Sequence, residues 1–296
     1  MIVTVASGKG GTGKTTVAVS LALAVATDTV LPGQAPADDP SVVLLDCDVE
    51  EPNAHLFLRP SLDLRREVGV LTPVVDETRC TGCRRCAEVC AYHALAVIEG
   101  KVLVFAELCH GCGSCSWNCP EEAIREELRP TGLVEVGRAG ALGFAQGILN
   151  VGEAMAVPVI RQVKKQGAAV VPGGLVVIDA PPGTSCPVVE SLRGADYALL
   201  VTEPTPFGLH DLRMAVDVAR CELGLPVGVV VNRTGVGDEG VDQYCRAERI
   251  PVLMRIPLDR RIAEACSDGL PLLEALPEYR QPFRDLYRQI CQGVAG

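Results

Sequence analysis

The residues from Ser7 to Thr16 read SGKGGTGKTT, a combination of glycine, lysine and threonine whose spacing suits phosphate binding. From Gly8 the segment fits G-x-x-x-x-G-K-[ST], in which glycines let backbone N–H groups turn inward around phosphate oxygens. A helix that begins near Lys14 would direct its positive end at the same oxygens. We expect Lys14 to reach the β- and γ-phosphates and the Thr15 hydroxyl to bind Mg²⁺. The predicted contacts in this loop are Gly8, Gly10, Gly11, Thr12, Gly13, Lys14, Thr15 and Thr16.

Two further segments end an apolar run with carboxylates. Leu44–Asn53 reads LLDCDVEEPN and carries Asp46 and Asp48, and Val176–Gly183 reads VVIDAPPG and carries Asp179. In open parallel sheets, ligands bind at the carboxyl ends of the strands, so these side chains are expected beside the phosphate loop. An apolar strand that ends in aspartate is the Walker B pattern, whose carboxylate holds Mg²⁺ through water. Asp179 takes that role.

Eight of the fourteen cysteines fall in two runs with the same C-x2-C-x2-C-x3-C spacing. Such tight triplets wrap three thiolates around one corner of a [4Fe–4S] cube. Zinc sites use two separated cysteine pairs instead, so two iron–sulfur clusters are favoured over two zinc ions. The runs are Cys80, Cys83, Cys86 and Cys90, then Cys109, Cys112, Cys115 and Cys119.

Continuous apolar runs, separated by helix-like stretches, indicate the elements that position these side chains. Such runs suit strands buried on both faces of a parallel sheet, and their alternation predicts a doubly wound, mostly parallel α/β fold. Pro32–Pro40 (PGQAPADDP) is predicted to be a surface loop. The predicted strands are Ile2–Ala6, Val42–Leu45, Leu175–Ile178, Ala198–Val201, Val227–Val231 and Val252–Ile256.

The paired cysteine runs divide the chain into three zones. Residues 1–72 and 131–296 carry the α/β pattern, and residues 73–130 form an inserted small α+β domain. Between the two runs, Ala94–Phe105 reads as a hairpin whose turn is Glu99-Gly100. The insert lies between the two carboxylate-bearing segments, so both of its ends return near the elements that would sense a nucleotide.

The composition restricts the setting in which the chain works. A formal net charge of −10 over 296 residues lacks the basic footprint of a general nucleic-acid binder. The start, MIVTVASGKGG, leaves no room for a cleavable leader, and no apolar run approaches the ~20 residues that span a bilayer. We therefore expect a cytoplasmic protein with reduced, metal-binding cysteines. The segment Glu278–Cys291 is expected to pack its apolar residues on the α/β body, and membrane binding is the alternative.

The phosphate loop contains a second lysine, Lys9, in KGGTGKT. This pattern resembles the deviant Walker A loop of the MinD, ParA and Mrp ATPases and of the nitrogenase iron protein. The resemblance extends over nearly all of the chain outside residues 73–130. It implies a P-loop ATPase that dimerises around ATP, with Lys9 acting in trans much as an arginine finger does.

The same resemblance implies roles for the carboxylate segments. Asp48 would position the attacking water, and Asp46 would lie near the Mg²⁺ shell. Gly183 would offer its backbone N–H to the γ-phosphate and so sense hydrolysis. The catalytic group is then Lys9, Lys14, Asp48 and Asp179, and the Mg²⁺ group is Thr15, Asp46 and Asp179.

Two later segments resemble the family's base-binding elements. In VVVNR, Asn232 would contact adenine and Arg233 would lie beside the base. In IPLDRRIAEACSDGLP, Pro257 and Asp259 would border the adenine.

The cysteine region resembles the bacterial two-cluster ferredoxin, in which the fourth cysteine of each run crosses to the other cluster. The first run departs from that pattern because Ala91, not proline, follows its last cysteine. Trp117 is expected to shield the cluster beside it. The implied ligand sets are Cys80, Cys83, Cys86 and Cys119 for one cluster, and Cys109, Cys112, Cys115 and Cys90 for the other.

Together these features predict a Mg-ATP-driven dimeric switch coupled to two [4Fe–4S] clusters, with slow turnover in the absence of a partner. Its task would be metallocluster assembly or transfer, or ATP-gated electron delivery to a partner protein. The alternative is a MinD-like spatial-positioning ATPase with a redox-sensing module. A CobQ-type ligase or amidase needs a glutaminase domain or a substrate-phosphorylation site, and the sequence indicates neither.

Overall fold

The computed structural model describes residues 1–26 and 40–295. The predicted loop Pro32–Pro40 therefore lies, apart from its last residue, outside the described residues. The strands within them are β1 (Ile2–Ala6), β2 (Val42–Asp46), β3 (Ser61–Val75), β4 (Leu95–Ile98), β5 (Lys101–Val104), β6 (Ile124–Ala139), β7 (Leu142–Leu149), β8 (Leu175–Asp179), β9 (Tyr197–Thr202), β10 (Val227–Thr234) and β11 (Val252–Pro257).

Helices in the same residues separate most of these strands. A π-helical turn, Asp217–Glu222, continues α7, and Ala106–Leu108 and Pro277–Tyr279 are 3-10 turns. The helices are α1 (Lys14–Ala26), α2 (Ala54–Leu58), α3 (Arg85–Glu88), α4 (Ser114–Trp117), α5 (Val157–Ala168), α6 (Cys186–Leu192), α7 (Pro206–Val216), α8 (Gly240–Ala247), α9 (Arg260–Ser267), α10 (Leu272–Ala275) and α11 (Arg280–Ala295).

The large sheet has the strand order β11-β10-β9-β1-β8-β2-β7-β6-β3 in the described part of the chain. The six apolar runs of the sequence are its strands β1, β2 and β8 to β11, and each pairs in parallel with its neighbour. The predicted mostly parallel α/β sheet is thus confirmed. It is extended by β7, which pairs in parallel with β2, and then by β6 and β3.

Buried aliphatic side chains from the strands and helices form the core of the sheet. Val17 and Leu21 of α1 are fully buried, as are Phe283, Leu286 and Ile290 of α11. The apolar face of the C-terminal helix therefore packs in the α/β core, as the sequence predicted. No helix in the described residues is both long enough and apolar enough to cross a membrane.

The chain divides into two compact units. One contains residues 1–66, 134–148 and 160–296, and the other contains residues 67–133 and 149–159. The predicted insert, residues 73–130, lies inside the second unit, and its exact limits as a domain stay a prediction. In that unit β4 and β5 form the predicted antiparallel hairpin, with Glu99 and Gly100 at its turn in left-handed conformations, φ 50° and 82°.

Candidate nucleotide site and cysteine cavities

A cleft of about 580 Å³ opens around the phosphate loop between β1 and α1. It lies in the first compact unit, where the loop, the residues after β2, the end of β10 and the residues after β11 meet. Among the residues predicted to bind the nucleotide or Mg²⁺ or to act in catalysis, five do not line the cleft: Gly8, Thr12, Asp46, Asp179 and Gly183. Those that do are Lys9, Gly10, Gly11, Gly13, Lys14, Thr15, Thr16, Asp48, Asn232, Arg233, Pro257 and Asp259.

Lys14 at the start of α1 pairs with Asp179 at the end of β8. The Nζ atom lies 2.5 Å from Oδ1, and both side chains are buried. Burial lowers the pKa of Lys14, but the charge and hydrogen bond of Asp179, together with the charges of Asp48 and Asp46, outweigh it and the net pKa is raised. Asp179 Oδ2 is also buried and has no hydrogen-bond partner among the described residues. An unpartnered carboxylate oxygen of this kind fits a Mg²⁺ ion held through water.

Asp46 lies opposite Asp179 in the pairing of β2 with β8. Its Oδ1 accepts the backbone N–H of Asp48 at 3.1 Å, and its Oδ2 accepts those of Asn53 and Ala54 at 3.0 Å each. Burial and the neighbouring Asp179 raise the pKa of Asp46 to about 7. The geometry therefore shows Asp46 holding the segment that carries Asp48.

Asp48 lines the cleft two residues beyond the end of β2. Burial raises the pKa of this carboxyl to about 6, against the opposing effect of the Lys14 charge. A carboxylate with a raised pKa in a cleft is a candidate proton acceptor.

Close packing requires glycine at position 13 of the loop. A Cβ on Gly13, whose φ is +87°, would meet the side-chain amide of Asn232. That amide donates from Nδ2 to Thr12 O at 2.7 Å, so Asn232 fastens the loop as well as lining the cleft. Gly183, expected to contact a γ-phosphate, donates its N–H to Ser7 O at 2.9 Å in this structure.

Lys9 does not extend freely from the loop. Its Nζ lies 3.1 Å from Oε2 of Glu203, whose Oε1 accepts from Arg233 at 2.5 Å. Arg233 also donates to Gly11 O at 3.1 Å. Sequence reasoning missed Glu203, although it directly follows β9 at the carboxyl edge of the sheet, where the carboxylates of β2 and β8 had been recognised.

Part of the cleft lining is apolar. Pro257, Leu258, Ile262 and Phe57 line it, which suits the flat face of a base. Asp259 caps α9 by accepting the N–H of Arg261 at 2.9 Å and also pairs with its guanidinium.

In the second unit, two small cavities are each lined by four cysteines. The sets contain three cysteines of one run and the last cysteine of the other, so they match the crossed ligand sets implied by the resemblance. Among the described residues, no three or more His, Cys, Asp or Glu side chains converge on a position for one metal ion. The cavities are lined by Cys80, Cys83, Cys86 and Cys119, and by Cys90, Cys109, Cys112 and Cys115.

The two cysteine runs repeat the same backbone course. Gly82 and Gly111, each just before the second cysteine of its run, have φ of +69° and +64°. Ala94 donates its N–H to Cys90 Sγ at 3.3 Å, and Ala123 donates to Cys119 Sγ at 3.3 Å. N–H donors to sulfur stabilise thiolates and tune the reduction potential of clusters.

The surroundings of the two cavities differ. Arg84 and Arg85 line the first cavity. The second is lined by Tyr92 and His110, whose rings stack with centroids 3.7 Å apart. The expectation that Trp117 shields a cluster is wrong, because its side chain is 90% exposed and lines neither cavity.

The profile of the CobQ/CobB/MinD/ParA nucleotide binding domain matches residues 3–272. The chain belongs to this family. Since MinD/ParA-type proteins are nucleotide-binding ATPases, membership supports an ATPase at the level of the family.

Relatives of the chain occur in Methanocaldococcus jannaschii. The uncharacterized protein MJ0579 is 31% identical over 275 residues, which cover 93% of this chain and 92% of the relative. The iron-sulfur cluster carrier protein of the same organism is 26% identical over 137 residues, 41% of this chain and 47% of that protein. The second match is partial and covers a minority of the chain.

Solved structures of MinD proteins share the fold of this family member. MinD from Pyrococcus horikoshii, complexed with Mg-ADP, has a TM-score of 0.58 at 18% identity and covers 98% of this chain and 95% of that one. A chain of the MinC:MinD cell division protein complex from Aquifex aeolicus has a TM-score of 0.53 at 16% identity and covers 99% of this chain and 96% of that one. At these identities the likeness shows the fold alone.

Proposed function

We propose that this chain is a Mg²⁺-dependent ATPase that works as a nucleotide-driven dimeric switch coupled to two [4Fe–4S] clusters. The observation that supports it most is the pair of cavities, each lined by the crossed set of four cysteines, in the same chain as a phosphate-loop cleft. Nucleotide binding and hydrolysis alone do not require two cysteine runs with the same backbone course, so these runs indicate a second function in the same chain.

In the proposed hydrolysis, water attacks the γ-phosphorus of ATP, the bond to the bridging oxygen breaks, and ADP and phosphate leave. Asp48 orients the water and accepts its proton. Lys14 leaves Asp179 to contact the β- and γ-phosphates, and Lys9 acts in trans across the dimer. Thr15 and, through water, Asp179 would hold Mg²⁺, which would supply neutralisation of phosphate charge.

The cysteine cavities suit clusters rather than single zinc ions. A zinc ion draws its thiolates to one point at about 2.3 Å, whereas a cube carries each thiolate on a separate iron corner. Each cavity is lined by four cysteines, one for each iron corner of a cube. Cys86 is buried in one set and Cys90, Cys109 and Cys115 are buried in the other, whereas Cys83 and Cys112 are exposed.

The proposed task is metallocluster assembly or transfer, or ATP-gated electron delivery. In the second case a low-potential one-electron donor protein reduces the clusters, and a metal centre of a partner protein accepts the electrons. The partial similarity to an iron-sulfur cluster carrier protein supports the first case. The insert is joined to the ATPase segments between Asp48 and Asp179 in the chain, which supports coupling between nucleotide state and cluster potential.

Protein purified without oxygen tests the proposal. We expect about eight iron and eight sulfide per chain, a brown chromophore, retention of Mg-ATP and slow release of phosphate. About two zinc per chain would overturn the cluster assignment, and failure to retain Mg-ATP would overturn the ATPase assignment. Reduction potentials measured in the ATP-bound, ADP-bound and nucleotide-free protein test the coupling, which equal values would contradict.

A pull-down tests the partner. The Asp48→Ala variant, expected to bind ATP without hydrolysing it, is compared with the wild type under ADP. Proteins enriched only with the ATP-bound variant and carrying a metal centre would support a redox or metallocluster task.

A further inference from the structure

We propose that Glu203 is a latch that holds Lys9 on its own subunit and sets the ATP concentration at which the chain dimerises. This inference rests on the proposed function, because it concerns the lysine assigned to act in trans. It adds a positioning residue that no motif in the sequence marks.

The geometry shows one carboxylate holding two cations. Glu203 lies at the carboxyl end of β9, its side chain is 10% exposed, and each of its oxygens pairs with a different cation. Oε2 lies 3.1 Å from Lys9 Nζ, and Oε1 lies 2.5 Å from the Arg233 guanidinium. The charge of Lys9 is therefore engaged within its own chain. A lysine in this position is not available to the phosphate of a second subunit.

The arrangement also lowers the free-energy cost of releasing Lys9 from Glu203. When Lys9 leaves, Glu203 keeps its hydrogen bond to Arg233, so no unpaired charge remains in the protein interior. Arg233 is in turn held by Gly11 O at 3.1 Å, and so stays beside the carboxylate. The Lys9 side chain is 33% exposed, which leaves it a path out of the pair. A lysine paired only with one buried carboxylate would lack this compensation.

The difference in negative charge between ATP and Glu203 explains why Lys9 would change partners. The ATP γ-phosphate of a second subunit offers Lys9 more negative charge than the shared carboxylate does, so binding of ATP shifts Lys9 from cis to trans. Dimer formation then requires release of two such pairs, one from each subunit. The ion pairs oppose dimerisation in the absence of ATP and yield when ATP is present.

Glu203→Gln tests the latch in the full-length protein, purified without oxygen with its metal content intact. The amide retains the size of the side chain and removes its charge. We expect the ATP concentration for half-maximal dimerisation, measured by sedimentation velocity, to fall by about fivefold, because two partly exposed pairs are weakened. An unchanged or higher midpoint would overturn the latch.

Glu190→Gln is the matched control. Glu190 has a similarly buried side chain, 11% exposed, and also holds two cations, Arg161 and Arg193, but neither of these cations belongs to the phosphate loop. Its variant should keep the wild-type dimerisation midpoint. An equal shift in both variants would mean that loss of a buried charge, rather than release of Lys9, causes the effect, and the latch would be rejected.

A second measurement separates the latch from a direct effect on the nucleotide. In a Lys9→Ala background, Glu203→Gln should leave the affinity for a fluorescent ATP analogue within about twofold, because no lysine remains to be released. A fivefold change there would overturn action through Lys9. If wild-type protein binds Mg-ATP but never dimerises, the proposed dimeric switch fails and the latch with it. If the wild type dimerises and Glu203→Gln behaves identically, only the latch fails.

Discussion

Lys14 Nζ and Asp179 Oδ1 lie 2.5 Å apart inside the protein, although both residues are expected to serve Mg-ATP. Lys14, the lysine expected to contact phosphate, is thus kept charged in a buried position by a carboxylate at the end of β8, the strand that pairs with β1. A bound triphosphate would take over as the partner of Lys14, and Asp179 would become available for the hydrated metal. The pair therefore stabilises the protein before the nucleotide binds, and its separation frees Asp179 for the metal after the nucleotide binds.

Asp179→Ala is expected to destabilise the nucleotide-free protein by about 3 kcal/mol, because removing one partner leaves a buried charge uncompensated. Urea unfolding followed by circular dichroism measures the loss. Glu264→Gln breaks an exposed pair with Arg260 and should cost less than about 0.5 kcal/mol. The prediction fails if the two variants are equally stable.

Asp48→Asn is expected to retain Mg-ATP while the rate of phosphate release falls by about 10²- to 10⁴-fold, the typical contribution of a general base. Glu50, two residues further and exposed, provides the control, and Glu50→Gln should hydrolyse ATP at the wild-type rate. Equal rates for Asp48→Asn and the wild type would remove Asp48 from the catalytic group.

Sequence patterns predicted the parallel strands because each is a continuous apolar run buried on both faces. They missed β7, Leu142–Leu149, since its run is interrupted by Gly143, Gln146 and Gly147. They also missed β3 and β6, whose exposed portions are rich in polar side chains. The spacing of residues in the sequence predicts turns and candidate metal ligands, but it does not predict which strands pair in the sheet.

The candidate site shows the same limit. Spacing identified the phosphate loop, and most of the loop residues line the cleft. Spacing did not reveal the pairing of Glu203 with Lys9, because these residues are distant in sequence. It also did not reveal that Asp46 holds the segment after β2, because that role depends on hydrogen bonds from backbone N–H groups. The exposure of Trp117 likewise depends on the direction of a side chain, which spacing leaves open.

The crossed ligand sets predict how paired cysteine substitutions combine. Cys83 and Cys119 line one cavity, so Cys83→Ser with Cys119→Ser should leave about four iron per chain, the same as Cys83→Ser alone. Cys83→Ser with Cys90→Ser affects both cavities and should leave almost none. Iron analysis and electron paramagnetic resonance of the reduced proteins check these contents. The reverse ranking of the two double variants would indicate that each run holds its own cluster.

The two proposed clusters should also differ in reduction potential. Arg84 lies exposed at the cavity of Cys80, Cys83, Cys86 and Cys119, and its positive charge stabilises the reduced, more negative state of a cluster there.

Arg84→Gln should therefore lower the potential of that cluster by about 10–40 mV, the equivalent of roughly 0.2–1 kcal/mol for an exposed charge in a one-electron couple. Arg85→Gln should have a smaller effect, because Arg85 is already paired with Glu88. Arg125→Gln is the control, since Arg125 is exposed, pairs with Glu127 and lines neither cavity. Redox titrations monitored by electron paramagnetic resonance measure both clusters in each variant. A potential that is unchanged in Arg84→Gln, or shifted equally in Arg125→Gln, would show that the arginine at the cavity does not tune the cluster.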